Sequence, residues 1–144
     1  MELELKHLAP YLPYGFKLYG ASDIWEMHSL GIEEICIANG LHIQTLSFND
    51  CLSDYSPILH PLSDLTKEIE HNGERFVPMF ELVSLNHKTL SHLNSDGIIT
   101  ASKRLIKDVI NQQLPYLYFI KLLEWHFDVF NLIPNLAIDI NTLK

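Results

Sequence analysis

The sequence predicts an α+β fold, a single domain in which an N-terminal antiparallel β meander is packed by C-terminal helices. The chain has 144 residues, a length typical of one domain. Short β-like segments bounded by turn residues fill residues 15–60, and helical apolar spacing runs through residues 62–131. Alternating apolar residues predict a short terminal strand at 136–140. With 47% hydrophobic residues, the chain 1–144 has enough apolar surface to form one core.

The β-rich part contains strand-like segments separated by turn residues. They are Phe16–Tyr19, Ile24–Leu30, Ile32–Ala38 and Leu41–Phe48. Their spacing predicts an antiparallel meander of roughly three to five strands. Pro57–His60 is interpreted as a further strand at the sheet edge, because proline is tolerated at strand starts and edges.

Asn39-Gly40 is the strongest turn signal, because a two-residue type I′ turn needs positive φ at both central positions. This turn pairs Ala38 with Leu41. One face of the hairpin is then apolar and is expected to meet the core; it comprises Cys36, Ala38, Leu41 and Ile43. The other face is mixed and is expected to be only partly covered, which makes it the candidate partner-binding surface; it comprises Ile35, Ile37, His42 and Gln44.

Three helices are predicted in the second part of the chain. The first spans 62–73, with Ser63 as its N-cap and Gly73 as its left-handed stop. Phe76–Leu85 is compatible with a strand or a helix, and residues 86–97 are rich in loop-forming residues. The other two helices follow this loop.

The second predicted helix is amphipathic, and the third is apolar on nearly every side. The second begins at Thr100, and its apolar stripe comprises Leu105, Ile106, Val109 and Ile110. The third runs from Pro115 to about Phe130, and its narrow polar stripe comprises Lys121, Glu124 and Asp128. Asn131 is expected to take the left-handed conformation at its end. Such an apolar helix is buried by its own domain or by a partner.

His126 is the candidate buried switch or core histidine. On the predicted third helix its side chain points away from the polar stripe, toward Phe119, Leu122, Leu123 and Phe130. A buried imidazole whose pKa lies near neutrality can act as a base or as a pH switch. The alternative is a core histidine that bonds a backbone carbonyl, which is favoured because buried polar groups rarely remain unpaired.

No catalytic residue, metal site or cofactor is predicted. Glu124, His126 and Asp128 are close in sequence, but on a helix His126 lies about 140–160° from the two carboxylates, so they form no local ligand set. The eight histidines show no metal-binding spacing. Cys51 lies in a polar turn between aspartates, which raise the pKa of its thiol.

The net charge is −8, and all the excess acidity lies in residues 1–72, which hold 11 acidic and 3 basic residues. Such a surface repels phosphate backbones and anionic lipid, which disfavours nucleic-acid and membrane partners. A basic cluster on the second predicted helix is interpreted as a solvated face; it comprises Lys103, Arg104 and Lys107.

The two cysteines, Cys36 and Cys51, form no Cys-x-x-Cys pair. The start Met1–Lys6 is charged and has no apolar leader. No apolar run approaches the roughly 18–20 residues that a membrane span needs. We therefore expect a cytoplasmic protein with reduced thiols.

Three further segments carry a family resemblance: Leu8–Leu18 (LAPYLPYGFKL), Pro57–Pro78 (PILHPLSDLTKEIEHNGERFVP) and Leu122–Leu143 (LLEWHFDVFNLIPNLAIDINTL). They resemble parts of small proteins, without an assigned activity, that phages and prophages of Bacteroidetes encode. This chain has His60 and Asn131 where those proteins have arginine and glycine. The resemblance implies a mobile-element setting, in which small accessory proteins often bind host or phage proteins.

The leading functional hypothesis is therefore a non-enzymatic phage accessory or protein-interaction protein in the cytoplasm of the phage's host. We expect its partner to be a host or phage protein, and a homo-oligomer is an alternative. One alternative is a small metal-dependent hydrolase or nuclease, with ligands drawn from dispersed histidines and carboxylates. Another is a virion assembly component.

Overall fold

A computed structural model describes residues 3–31, 33–85 and 95–143. The strands are β1 (Lys17–Gly20), β2 (Asp23–Leu30), β3 (Glu34–Asn39), β4 (His42–Ser47), β5 (Ser56–Leu59), β6 (Ile69–His71), β7 (Glu74–Phe76) and β8 (Ile138–Asp139). The helices are α1 (Leu5–Leu8), α2 (Phe48–Asp54), α3 (Pro78–Ser84), α4 (Ser95–Ile110) and α5 (Tyr116–Glu124), with 3-10 helices at Ala9–Tyr14, Leu62–Thr66 and Ile140–Leu143. This confirms the α+β prediction of an N-terminal antiparallel sheet followed by helices.

The main sheet has six strands in the order β4-β3-β2-β1-β5-β8. Strands β1 to β4 form the predicted antiparallel meander, and β5 pairs antiparallel with β1. The strand predicted at Pro57–His60 exists as β5, but its edge position is wrong. The two-residue strand β8 pairs with β5 in parallel, beginning opposite Ile58, so Pro57 has no strand partner on that side.

The β3–β4 hairpin turns one residue later than predicted. Asn39 pairs with His42, and the turn consists of Gly40 and Leu41. Gly40 has a φ of 60°, and glycine with positive φ at the first central position is typical of a type II′ turn. Relative to the prediction, β4 moves by two residues along β3. Because the side-chain period of a strand is two, every side chain keeps its predicted face.

The face of the hairpin that meets the core is the opposite of the predicted one. Ile35 and Ile37 are completely buried, whereas Leu41 is completely exposed and Ile43 is 59% exposed. The physical reason lies in β2, which pairs Met27 with Ile37 and so aligns Ile37 with the buried row of the sheet. The partner-binding surface predicted at Ile35, Ile37, His42 and Gln44 is therefore wrong, because its two isoleucines belong to the core.

The helix predicted over 62–73 is also wrong. Only Leu62–Thr66 is helical, as a 3-10 turn, and β6 and β7 follow as a separate two-stranded ribbon. Asn72 and Gly73 both have positive φ, and they close the pair between His71 and Glu74. Asn-Gly favours a type I′ hairpin turn. The turn type that was predicted at Asn39-Gly40 therefore forms at Asn72-Gly73 instead.

Helices α4 and α5 differ from their predicted bounds. Residues 86–94 of the predicted loop lie outside the described residues, and α4 begins at Ser95 rather than Thr100. Helix α5 ends at Glu124 rather than near Phe130. His126 takes a left-handed φ of 60°, and Asn131 takes the predicted left-handed conformation in the following turn.

Helix α5 ends in a left-handed cap, in which the His126 N–H donates to the Leu123 carbonyl and the Phe127 N–H donates to the Leu122 carbonyl. Beyond this cap, the Asp128 carboxylate accepts hydrogen bonds from the backbone N–H groups of Leu132 and Ile133. A short side chain that bonds nearby backbone groups competes with helix formation. The released segment docks on the sheet, where His60 and Phe127 form a parallel β-bridge.

The core lies between the inner face of the sheet and the surrounding helices and turns. Its completely buried side chains include Leu8, Tyr11, Phe16, Ile35, Ile37, Leu59, Leu65, Leu122 and Phe127. The chain crosses this inner face from β4 to β5 through α2, and it packs closely on Gly20. A Cβ atom there would clash with the Tyr55 ring and the Asp54 carbonyl oxygen. In the described part of the chain, no helix has the length and apolar character needed to cross a membrane.

Tyr11 joins the N-terminal 3-10 helix to the turn after α5. Its hydroxyl donates to the Phe127 carbonyl and accepts from the Val129 N–H. Tyr11→Phe keeps the ring but removes both hydroxyl bonds, so the Val129 N–H and the Phe127 carbonyl keep only their bond to each other. We expect the free energy of unfolding to fall by about 0.5–1.5 kcal/mol. Urea unfolding followed by circular dichroism measures this. Tyr116→Phe, on an exposed ring, is the control, and equal midpoints for the two variants would contradict the assignment.

Candidate functional site

Strand β4 is an outer edge of the main sheet, and it pairs with β3 without interruption from His42 to Ser47. In a two-residue hairpin the closing pair, here Asn39 and His42, is hydrogen-bonded. Hydrogen-bonded and non-hydrogen-bonded pairs alternate along an antiparallel ladder. The backbone N–H and C=O groups of Ile43 and Thr45 therefore point away from β3, toward the side of β4 on which residues 3–31, 33–85 and 95–143 place no strand; we call this side the free side of the edge.

This edge lacks the features that normally block strand pairing. Sheet edges are usually protected by lysine, proline, bulges, inward-pointing charges or a very short strand. Strand β4 (HIQTLS) has no proline and no charged residue, and its register is regular. No Asp, Glu, Lys or Arg occurs anywhere in residues 35–49. The opposite edge, β8, has only two residues.

The outer face of the sheet beside β4 exposes apolar side chains. Ile43 lies next to Ala38, and Leu41 projects from the turn. Ile24, on β2, is 45% exposed. We call the outward-facing residues Ile24, Ala38, Leu41, Ile43 and Thr45 the open sheet surface. Clustered exposed apolar residues beside a free strand edge are typical of interaction sites.

Polar side chains on the inner side hold β4 in place. The His42 ring lies edge-on to the Trp25 ring, with 5.6 Å between centroids. Gln44 contacts His42, and its Oε1 accepts from the Tyr55 hydroxyl at 3.4 Å. The predicted site residues His42 and Gln44 thus anchor β4 to the domain. The side chain of Asn39 joins β3 to β2, because its Nδ2 donates to Asp23 at 2.6 Å.

His126 is a core histidine that bonds a backbone carbonyl, the second of its two interpretations. It is 8% exposed, and its Nε2 donates to the Tyr14 carbonyl oxygen at 2.7 Å. Burial lowers its pKa to about 4. The predicted helical position and neighbours are wrong, because α5 has already ended; the rings beside His126 are those of Phe16 and His71.

A second buried polar group lies around Asp64, which the sequence analysis did not single out. Asp64 contacts His60 Nδ1 at 3.4 Å and accepts from Asn141 Nδ2 at 2.8 Å. Lys67 adds an ion pair at 3.4 Å. The i, i+4 spacing of His60 and Asp64 was a signal for the first contact, but the contact with Asn141 has no local signal.

Histidines and carboxylates do not converge on a metal-binding geometry in residues 3–31, 33–85 and 95–143, where no group of three or more potential ligands is arranged for one. Glu124 pairs with Lys121 at 3.2 Å, whereas Asp128 is buried and bonded to backbone N–H groups. Burial raises the pKa of the Cys51 thiol to about 11, with Asp54 adding to the effect. Cys51 is therefore a protonated thiol at neutral pH.

A cleft of about 630 Å³ lies between α1, α5 and the end of α4. Its wall is mostly apolar and includes Val109, Leu114, Phe119 and Phe130. Lys6, which also lines the cleft, pairs with Glu4 at 3.2 Å. The cleft therefore offers apolar volume without a free charged group to orient a ligand.

The chain matches no protein-family model, no curated protein and no solved structure.

Burial of His126 predicts a loss of stability in acid. The folded-state pKa of about 4 lies below the ordinary 6.5, so the unfolded chain binds the proton first as the pH falls. Stability is complete above about pH 6.5 and decreases down to about pH 4, by about 3 kcal/mol for this group. Burial lowers the pKa of His71 in the same direction. Urea unfolding at a series of pH values measures the slope.

His126→Gln is the test variant, because it keeps an N–H donor for the Tyr14 carbonyl but does not titrate. We expect its stability to depend less on pH than that of the wild type. His28→Gln, at an exposed position of β2, is the matched control. An unchanged slope in His126→Gln would show that other groups cause the acid sensitivity.

Proposed function

We propose that this protein is a non-enzymatic interaction protein that binds an extended polypeptide segment at the edge of β4. The observation that carries this proposal is the free, uncharged and regular edge, with backbone groups of Ile43 and Thr45 directed outward. In binding by strand addition, main-chain hydrogen bonds give affinity and alternate side chains give specificity. The open sheet surface supplies the side-chain contacts that give specificity.

The binding chemistry defines the segment that fits. Each backbone hydrogen bond contributes about 0.5–1.5 kcal/mol, so Ile43 and Thr45 together support a modest affinity. Alternate residues of the bound segment would lie beside Ile43 on the outer face, where apolar or β-branched side chains pack well. An edge without charged residues fits an uncharged segment.

The polar groups of the interior support a non-enzymatic function, because the geometry assigns them to folding. His126, Asp128 and Tyr11 each bond backbone groups across a turn or between elements. Cys51 is a buried protonated thiol. These contacts leave the four side chains without the exposure that a substrate needs.

The phage setting remains part of the proposal. The three segments that resemble phage and prophage proteins meet in space, since Tyr11 bonds Phe127, His60 bridges Phe127, and Asp64 accepts from Asn141. All three lie outside the β3–β4 hairpin. We propose that these three segments form a scaffold on which the hairpin is presented, with a host or phage protein as the partner in the host cytoplasm.

Thr45→Pro removes an outward N–H from the edge and is expected to abolish partner binding. Proline is tolerated on an edge strand where its nitrogen faces solvent, so the fold should persist. We expect a protein captured from phage-carrying cells by the wild type to be lost with Thr45→Pro. The measurement is quantitative mass spectrometry, followed by titration of the purified partner, with at least about tenfold weaker binding expected.

Ile110→Lys is the matched control, because Ile110 is an exposed apolar residue on α4, away from the sheet. Equal binding by wild type and Thr45→Pro would place the partner elsewhere. A capture with no partner at all, from folded wild-type protein, would also contradict the proposal. Thermal unfolding by circular dichroism verifies that each variant is folded.

A further inference from the structure

The geometry points to a second copy of this chain as an occupant of the β4 edge, joined by antiparallel pairing of β4 with β4. This inference rests on the proposed function, because it requires that the edge accepts a strand. It adds that the free protein forms a symmetric dimer and that a partner segment must compete with the second copy.

Charge is the first argument for self-pairing. Residues 1–72 hold 11 acidic and 3 basic residues, yet residues 35–49 hold neither. Two copies therefore repel each other across most of their N-terminal surface, because like charges that face each other are destabilising. A two-fold axis brings the same patch of both copies together. Within this acidic half, the uncharged hairpin is a surface on which such contact avoids repulsion.

The register of β4 is compatible with this symmetry. An axis through Thr45 pairs Thr45 with Thr45 of the second copy, and Ile43 with Ser47 of the second copy. The outward backbone groups of Ile43 and Thr45 then meet outward groups, as an antiparallel ladder requires. Threonine pairs on opposite strands are favourable. Both sheets join into one continuous sheet, and neither copy keeps a long free edge.

Acidic residues stay clear of this junction. Glu34 pairs with Ser47, so it lies one strand behind the interface. In the symmetric ladder its row continues through Ile43 and Ala38 of the second copy, which are uncharged, before it reaches Glu26 of the second copy. The nearest acidic groups of the two copies in this row are thus separated by several strands, each about 4.8 Å apart.

The other strand edges fit a second copy less well. Strand β8 has two residues. The ribbon of β6 and β7 has three residues in each strand and carries Glu70, Glu74 and Arg75. A basic partner would be attracted to the acidic surface in general, but β4 offers it no carboxylate. The neutral edge therefore fits a neutral strand, and β4 itself is one.

Sedimentation equilibrium of the full chain tests the inference over about three decades of concentration. We expect the mass to rise from monomer to dimer with the wild type and with Ile110→Lys. Thr45→Pro should dimerise at least about tenfold more weakly. Added salt should strengthen the dimer, because it screens repulsion between two copies of charge −8.

Hydrogen exchange of the wild type at low and high concentration locates the interface. Slower exchange at high concentration is expected for the amides of Ile43 and Thr45. A wild type that stays monomeric at every concentration would overturn the inference, as would a dimer that Thr45→Pro leaves equally stable.

The two proposals can fail separately. If the wild type is monomeric but Thr45→Pro loses a purified partner, self-pairing is wrong and the proposed function stands. If Thr45→Pro loses the dimer and no other polypeptide binds the edge, self-pairing stands and the proposal of a different partner protein is wrong.

Discussion

The end of α5 at Glu124 is the constraint on which the rest of the structure depends. It lets residues 126–128 run beside β5, where the His60 N–H donates to the His126 carbonyl and the Asp128 N–H donates to the His60 carbonyl. Phe127 then accepts from Tyr11 and lies against the His60 ring. A continued helix would carry these groups away from the sheet. The left-handed His126 and the carboxylate of Asp128 make the stop compatible with burial, because the N–H groups of residues 126–128 bond carbonyls of α5 or of His60 beside β5, and the Asp128 carboxylate bonds the next turn.

The sequence supported the fold class, the meander and the strand character of β5, because these depend on local alternation and turn residues. The prediction of the turns failed, because two identical Asn-Gly dipeptides could each form the type I′ turn. Asn39-Gly40 and Asn72-Gly73 are the same dipeptide, yet the first contributes only glycine to a type II′ turn, while the second forms the type I′ turn. Choosing between them requires the register with neighbouring strands, which local sequence does not contain. The same limit explains the long predicted helix, since the role of Asp128 depends on backbone groups that a helix would never present to it.

The candidate site shows this limit most clearly. Membership of each hairpin face follows from the side-chain period of two and was predicted correctly. Which face is buried depends on β2, whose Met27 faces Ile37, so it required the tertiary arrangement. Composition was misleading here, because Leu41 and Ile43 are apolar and yet exposed. An apolar pattern on a hairpin identifies a surface that avoids water, but it does not distinguish the protein's own core from another polypeptide.

The distribution of charge affects how another polypeptide can approach this apolar edge. An apolar, uncharged edge on an otherwise neutral protein would promote aggregation in many orientations. Here residues 1–72 carry the whole net charge of −8, so approaches that bring other surfaces of this acidic half together are opposed by repulsion. Inner-side contacts of His42 and Gln44 hold β4 in a fixed register, which keeps the outward backbone groups of Ile43 and Thr45 in the spacing of a regular ladder. Rigid backbone groups lose little entropy on pairing. The fixed inner contacts and the surrounding acidity together favour a single defined mode of strand pairing at this edge over nonspecific association.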